Sequence, residues 1–173
     1  QDLPRINMAI ADGSFFQNEA FLSAVSHIEG HMSNLHLIGL IGSGGVHSNM
    51  EHLFALLWMC KNLNASRVFL HLITDGRDSP PKSATTYIRQ VEDEINRVGI
   101  GTIASVSGRY YAMDRDQRCE RTQKAYIALT EGKGLTANSP YEAAEKAYQR
   151  GITDEFFEPT LIVRGDGPVG LIR

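Results

Sequence analysis

The strongest constraint in the chain is an alternation of two periodicities. Short runs rich in Val and Ile, bounded by turn residues, occur at 35–41, 68–73 and 102–106, with a fourth at 160–163, and read as buried strands. The stretches between them read as helices with their own start and stop signals. Ser48, with Glu51 three residues on, forms a capping box for a helix running to about Leu63, and Ser83 opens another through Val98 that Gly99 ends. A helix from Asp116 to Thr130 sets Cys119, Ala125, Tyr126 and Leu129 at core-facing spacings and stops at Gly132. Ser139 followed by Pro140 starts a last one, running to Arg150 and ended by Gly151. Strands alternating with helices predict parallel strands joined by right-handed crossovers. The expectation is a single α/β layered domain over residues 1–173, with a mainly parallel sheet flanked by helices. The 173 residues, 42% hydrophobic and 21% charged, are enough for one such core.

Ligands of parallel sheets bind beyond the carboxyl ends of the strands, so the segments that follow the strands come first. After the first strand stands Gly42-Ser43-Gly44-Gly45-Val46-His47-Ser48. A dinucleotide fold needs Gly where His47 stands, and a P-loop needs a Lys followed by Ser or Thr. The glycines therefore serve a tight turn that sets His47 at the mouth of the sheet. His47 and His52 are five apart and no His-Glu-x-x-His pattern occurs, which argues against a helical zinc pair. His36 and His71 fall within strands, where burial or hydrogen bonding explains them.

After the second strand comes Thr74-Asp75-Gly76-Arg77-Asp78, stiffened by Pro80-Pro81. It reads either as a turn with a surface ion pair or as a set that orients a polar ligand, with Arg77 forking onto a carboxylate or phosphate. After the third strand, Arg109 and Arg115 bracket a short aromatic segment, while Arg118 and Arg121 read as solvated helix charges paired with Asp116 and Glu120. Arg77, Arg109 and Arg115 together would form an anion pocket suited to a small phosphorylated acid.

Composition removes several alternatives. Lys and Arg total 17 against 20 Asp and Glu, a net charge of −3, without the basic excess that nucleic-acid binding requires. Cys60 and Cys119 are too few for a disulfide framework and suggest idle thiols in a reducing compartment. The longest apolar stretch, 53–60, is too short to span a membrane, and no signal pattern opens the chain, so a soluble cytoplasmic protein is expected. No Gly-x-Ser-x-Gly elbow occurs and neither thiol lies beside a base, so no nucleophile is indicated. Arg164-Gly165-Asp166 reads as a turn, and Phe15 and Phe16 as core or as a face toward another domain. The start at Gln1 and the stop after the turn-rich 165–168 stretch suggest a piece of a longer protein.

At these motifs the chain resembles the cofactor-independent phosphoglycerate mutases, in their inserted substrate-binding and phosphotransferase domain. The likeness rests on Arg5-Ile6-Asn7-Met8-Ala9-Ile10 with Asp12-Gly13-Ser14-Phe15-Phe16, then Gly44-Gly45-Val46-His47-Ser48, His52-Leu53-Phe54, Thr74-Asp75-Gly76-Arg77-Asp78, the Ser107 to Arg115 segment, and Pro159-Thr160, in fixed order. It implies interconversion of 3-phosphoglycerate and 2-phosphoglycerate, in glycolysis and gluconeogenesis. It also implies a partner domain, alkaline-phosphatase-like, that carries two metal ions, usually manganese, and a Ser that becomes phosphorylated. Carried over residue by residue, the substrate contacts fall on His47, Arg77, Asp78, Arg109 and Arg115, with Asp78 as the catalytic candidate and no metal ligand in this chain. Gly42-Ser43 departs from the family's usual Ser-Asp. Two further substrate arginines in an Arg-x-x-Arg pattern, the substrate lysine, the metal ligands and the nucleophile are missing, so the isolated chain is expected to be inactive. A stand-alone binding module for small phosphorylated acids is the alternative.

Overall fold

The computed structural model describes residues 2–165 and 167–173. Six strands and seven α-helices follow in the order α1 (Asp2–Asp12), α2 (Glu19–His31), β1 (Leu35–Ile41), α3 (Met50–Asn62), β2 (Val68–Thr74), α4 (Ala84–Val98), β3 (Thr102–Gly108), α5 (Arg109–Ala112), α6 (Cys119–Glu131), β4 (Leu135–Ala137), α7 (Pro140–Gln149), β5 (Thr160–Arg164) and β6 (Gly167–Pro168) among the described residues. The sheet runs β1-β2-β3-β5-β4, with β6 paired to β5. β1, β2 and β3 are mutually parallel, as are β4 and β5, but β5 runs antiparallel to β3. The expected α/β layers with a mainly parallel sheet are present. The expectation of parallel strands fails at β4 and β5: the chain that leaves β3 through α5 and α6 re-enters the sheet from the opposite end at β4, and α7 then joins β4 to β5 as a parallel crossover.

The core lies where Leu70 and Leu72 of β2 and Ile103 of β3 meet Leu57 of α3, Ile88 and Val91 of α4, and Ala143, Ala144 and Ala147 of α7. Val25 and Ile28 of α2 join the same cluster. Packing of these side chains, more than propensity, holds helices of this length. No helix among the described residues is long and apolar enough to cross a membrane.

Several local signals operate differently from the sequence reading. Asn49, not Ser48, caps α3: its side chain accepts from Glu51 N, whereas the Ser48 hydroxyl donates back to Leu40 O at 2.7 Å and ties the loop to β1. Gly99 does end α4, in the left-handed conformation. α6 begins at Cys119 rather than Asp116, since Gln117 adopts a left-handed backbone and the Asp114 carboxylate captures Arg118 N. Along α6 only Ala125 and Ala128 are buried, leaving Cys119 and Tyr126 exposed. α1 and α2 carry weak strand-helix contrast in sequence, although Asn18 caps α2 by accepting from Ala20 N and Phe21 N. Phe15 is buried against Phe21, and His52 Nε2 lies 2.6 Å from Asn7 Oδ1, joining α3 to α1. Asp166, within the turn expected at 165–168, lies outside the described residues.

β2 and β3 slip by one residue, with Leu70 opposite Ile103 but His71 opposite Ser105. This leaves Ala104 without a partner and brings His71 Nδ1 within 2.8 Å of Ser105 Oγ, while His71 Nε2 lies 2.9 Å from His36 Nδ1 on β1. Burial, reinforced by the neighbouring His36 ring, pushes the His71 imidazole down to about 4. An unfolded histidine takes up its proton near pH 6.5, so between those values the unfolded chain binds a proton that the folded chain refuses. Stability is therefore complete above pH 6.5 and falls toward pH 4, by on the order of 3 kcal/mol from this group. Urea unfolding between pH 7.5 and pH 4 should show that slope, and a His71→Gln variant should flatten it.

Candidate functional site

The register of the parallel strands assembles the site. Ile41 pairs with Thr74, and Thr74 with Gly108, so Gly42, Asp75 and Arg109 leave the sheet side by side. Asp75 sits in the middle with its side chain 2% exposed. Its Oδ1 accepts from Arg109 Nη1 at 2.6 Å, Asp78 N at 3.2 Å and Arg77 N at 3.3 Å, and its Oδ2 accepts from Ser79 Oγ at 2.9 Å. Burial opposes its ionisation, but the Arg109 guanidinium and the other three donors outweigh burial and hold the carboxyl below its ordinary value. Ser79 Oγ in turn accepts from Ser43 N, and Tyr87 donates to Ser43 Oγ at 2.7 Å. Ser43 is thereby a bonded part of the loop. A side chain on Gly44 would press on Asp78, with its Cβ 2.7 Å from the Asp78 carbonyl oxygen.

A second buried carboxylate brings the far end of the chain alongside. Asp154 accepts from Ser83 N at 2.8 Å and from the Tyr148 hydroxyl at 2.5 Å, while its carbonyl accepts from Thr74 Oγ1 at 2.7 Å. The short 3-10 turn Asp154–Phe156 is thus pinned under β2 and carries Glu155 to within 3.7 Å of Arg77 Nη1.

Arg77, Arg109 and Arg115 line one hollow of about 220 Å³, together with Arg121, Tyr110 and Glu155 among others. Arg109 is 11% exposed, and its Nη1 donates also to Asp78 Oδ2 at 2.7 Å. His47 Nε2 stands 3.7 Å from the same Asp78 oxygen. His47 and Asp78 do not line the hollow and meet it through Arg109. Arg77 and Asp78 make no pair with each other: Arg77 faces Glu155 and Asp78 faces Arg109. Among the described residues Arg115 forms no ion pair with a carboxylate.

Arg121 corrects the sequence reading in part. The expected pair with Asp116 is present at 3.6 Å, but the residue is no solvated helix charge: its guanidinium lies over the Tyr110 ring at 3.9 Å and bonds Asp114 at 3.1 Å, with the side chain 18% exposed. Asp114 holds both Arg121 and Arg118 N, bracing the turn that presents Arg115. Asp114, Arg121 and Glu155 are the residues that sequence reasoning missed, and Asp75, inside the Thr74 to Asp78 motif, was not singled out. Nothing in the spacing reveals Glu155 beside Arg77. Among the described residues no group of three or more His, Cys, Asp or Glu side chains stands together as metal ligands. Cys60 is buried and Cys119 exposed, each a free thiol.

The family model for the BPG-independent PGAM N-terminus matches residues 6–173. The chain belongs to this family. It is 53% identical over its whole length to the 2,3-bisphosphoglycerate-independent phosphoglycerate mutase of Moorella thermoacetica, covering 34% of that protein. Against the enzyme of the same name from Chloroflexus aggregans it is 53% identical over 174 aligned residues, 32% of that protein. The solved structure of Leishmania mexicana phosphoglycerate mutase, determined at low cobalt concentration, superposes on all of the chain with a TM-score of 0.94 at 27% identity, covering 33% of that chain. The chain thus spans about a third of the length of these relatives.

Within this member of the BPG-independent PGAM N-terminus family, Gly108 is where steric tolerance ends. A Cβ there would lie 2.5 Å from Phe157 N and against the carbonyls of Asp154 and Glu155, backbone atoms that cannot rotate away. Gly108→Ala should therefore cost about 1–3 kcal/mol in chemical denaturation, the scale of overpacking a tight interior.

Proposed function

We propose that the chain is the substrate-holding part of a cytoplasmic phosphoglycerate mutase that interconverts 3-phosphoglycerate and 2-phosphoglycerate. The observation that carries this reading is the convergence of Arg77, Arg109 and Arg115 on one small hollow at the carboxyl ends of β2 and β3. At about 220 Å³ it lies below the roughly 300–1,000 Å³ of sites for drug-sized molecules and suits a three-carbon phosphorylated acid. The chain carries a net charge of −3, so it has no overall basic excess, and four arginines nevertheless line this hollow.

In this reading the three arginines bind phosphate and carboxylate oxygens, with Arg115 free of a competing carboxylate among the described residues. Arg77 exchanges the longer contact to Glu155 for the ligand. Asp78 orients the glycerate hydroxyl and accepts its proton, and His47 hydrogen-bonds the moving phosphoryl group. Charge neutralisation by two manganese ions, and the Ser that carries the phosphoryl group, belong to an alkaline-phosphatase-like remainder.

Calorimetric titration of the chain with 3-phosphoglycerate tests the binding half. Arg77→Ala should weaken binding by roughly 1.5–3 kcal/mol, the scale of a charge-assisted hydrogen bond. Unchanged affinity removes Arg77 from the site. A coupled enolase assay of the purified chain with added manganese should give no turnover, and activity that tracks the polypeptide through purification overturns the division of labour.

A further inference from the structure

Arg109 is shared between two carboxylates that differ in every respect that matters for a binding site. Asp78 has a quarter of its side chain exposed, has His47 3.7 Å from the same oxygen that Arg109 bonds, and can turn toward a ligand. Asp75 is almost fully enclosed. Its two oxygens are occupied by four donors from Arg109, Arg77, Asp78 and Ser79. It cannot reach a ligand. It can hold a guanidinium still while other partners change.

We propose that Asp75 is the positioning residue of the anion pocket, acting through Arg109 and through the backbone of Arg77 and Asp78. This deepens the reading of the site as a phosphoglycerate pocket and rests on it. Arg109 Nη1, which also donates to Asp78, is held at 2.6 Å by an enclosed carboxylate, so one terminal nitrogen of the guanidinium is anchored while the side chain lines the hollow. Asp78 is then free to leave Arg109 for the ligand hydroxyl without the arginine following it. The same carboxylate sets the turn from Thr74 into Asp78, so the approach of two ligand-binding side chains is fixed by one charge. Organising the site before ligand arrives reduces the ordering that binding must otherwise supply.

Asp75→Asn is a near-isosteric test. The amide oxygen can still accept from Arg109 and the two backbone N–H groups, and its NH2 can donate to Ser79 Oγ, so the fold is retained while the charge is lost. Nitrogen-15 NMR of arginine Nε–H groups reads positioning with no ligand present, the Arg109 signal being identified by its loss in Arg109→Gln. A resolved, slowly exchanging Arg109 signal is expected in the unaltered chain and in Asp78→Asn, and an averaged, fast-exchanging one in Asp75→Asn. Titration with 3-phosphoglycerate should show about tenfold weaker binding for Asp75→Asn, and no further loss when it is added to Arg109→Gln. An Arg109 signal as ordered in Asp75→Asn as in the unaltered chain overturns the proposal, as do penalties that multiply in the double variant. Should Asp75→Asn unfold, Asp78→Asn still decides, because loss of Arg109 order there assigns the positioning to Asp78. If the unaltered chain binds no 3-phosphoglycerate while Arg109 order still depends on Asp75, the ligand assignment falls and the positioning stands.

Discussion

Thr74 stands opposite Ile41 on one side and Gly108 on the other, and the site depends on that row. Three chain segments leave the sheet at one level, which is how Asp75 meets Arg109 across 34 residues of sequence. The unpaired Ala104 is part of the same constraint. A one-residue slip in β3 exchanges every side chain between the two faces and shifts which residue ends the strand, so the irregularity at Ala104 helps decide that Arg109 stands beside Asp75.

Two buried carboxylates convert that geometry into a rigid platform. An ionised group out of water is costly unless it is fully bonded, and both Asp75 and Asp154 are surrounded by donors. Their partners come from different parts of the chain: Asp75 joins the loops after β2 and β3, and Asp154 joins the start of α4, the end of α7 and the strand end at Thr74. Close backbone approach at Gly44 and Gly108 lets these loops pack without intervening side chains.

The same strand that ends in charge is uncharged at its middle. His36, His71 and Ser105 form a bonded row across β1, β2 and β3, and burial keeps His71 neutral well below the ordinary histidine range. A positive charge there would stand among Leu72, Val106 and Ala125, with little to stabilise it. Along β1, β2 and β3, Asp, Glu, Lys and Arg are thus confined to the loops beyond the strands.

The amino-acid sequence by itself determined the alternation of strands and helices, the boundaries of β1 and α4, the glycine stops at Gly99 and Gly132, and the three strand-end loops on which glycine and charge concentrate. Those are local properties, set by period, capping and backbone freedom within a few residues. The helix cap at Asn49 over Ser48, the reversed direction of β4 and β5, the pairing of Arg121 with Asp114 and Tyr110, and the place of Glu155 beside Arg77 were decided only by tertiary structure. Each depends on which of several chemically equivalent partners comes within about 3–4 Å, and that follows from strand register and from packing between segments far apart in the chain. Sequence spacing offered His47, Arg77, Asp78, Arg109 and Arg115 for one cleft; that Arg77, Arg109 and Arg115 line one hollow while His47 and Asp78 stand behind Arg109, and that Asp75 is buried, comes from the fold.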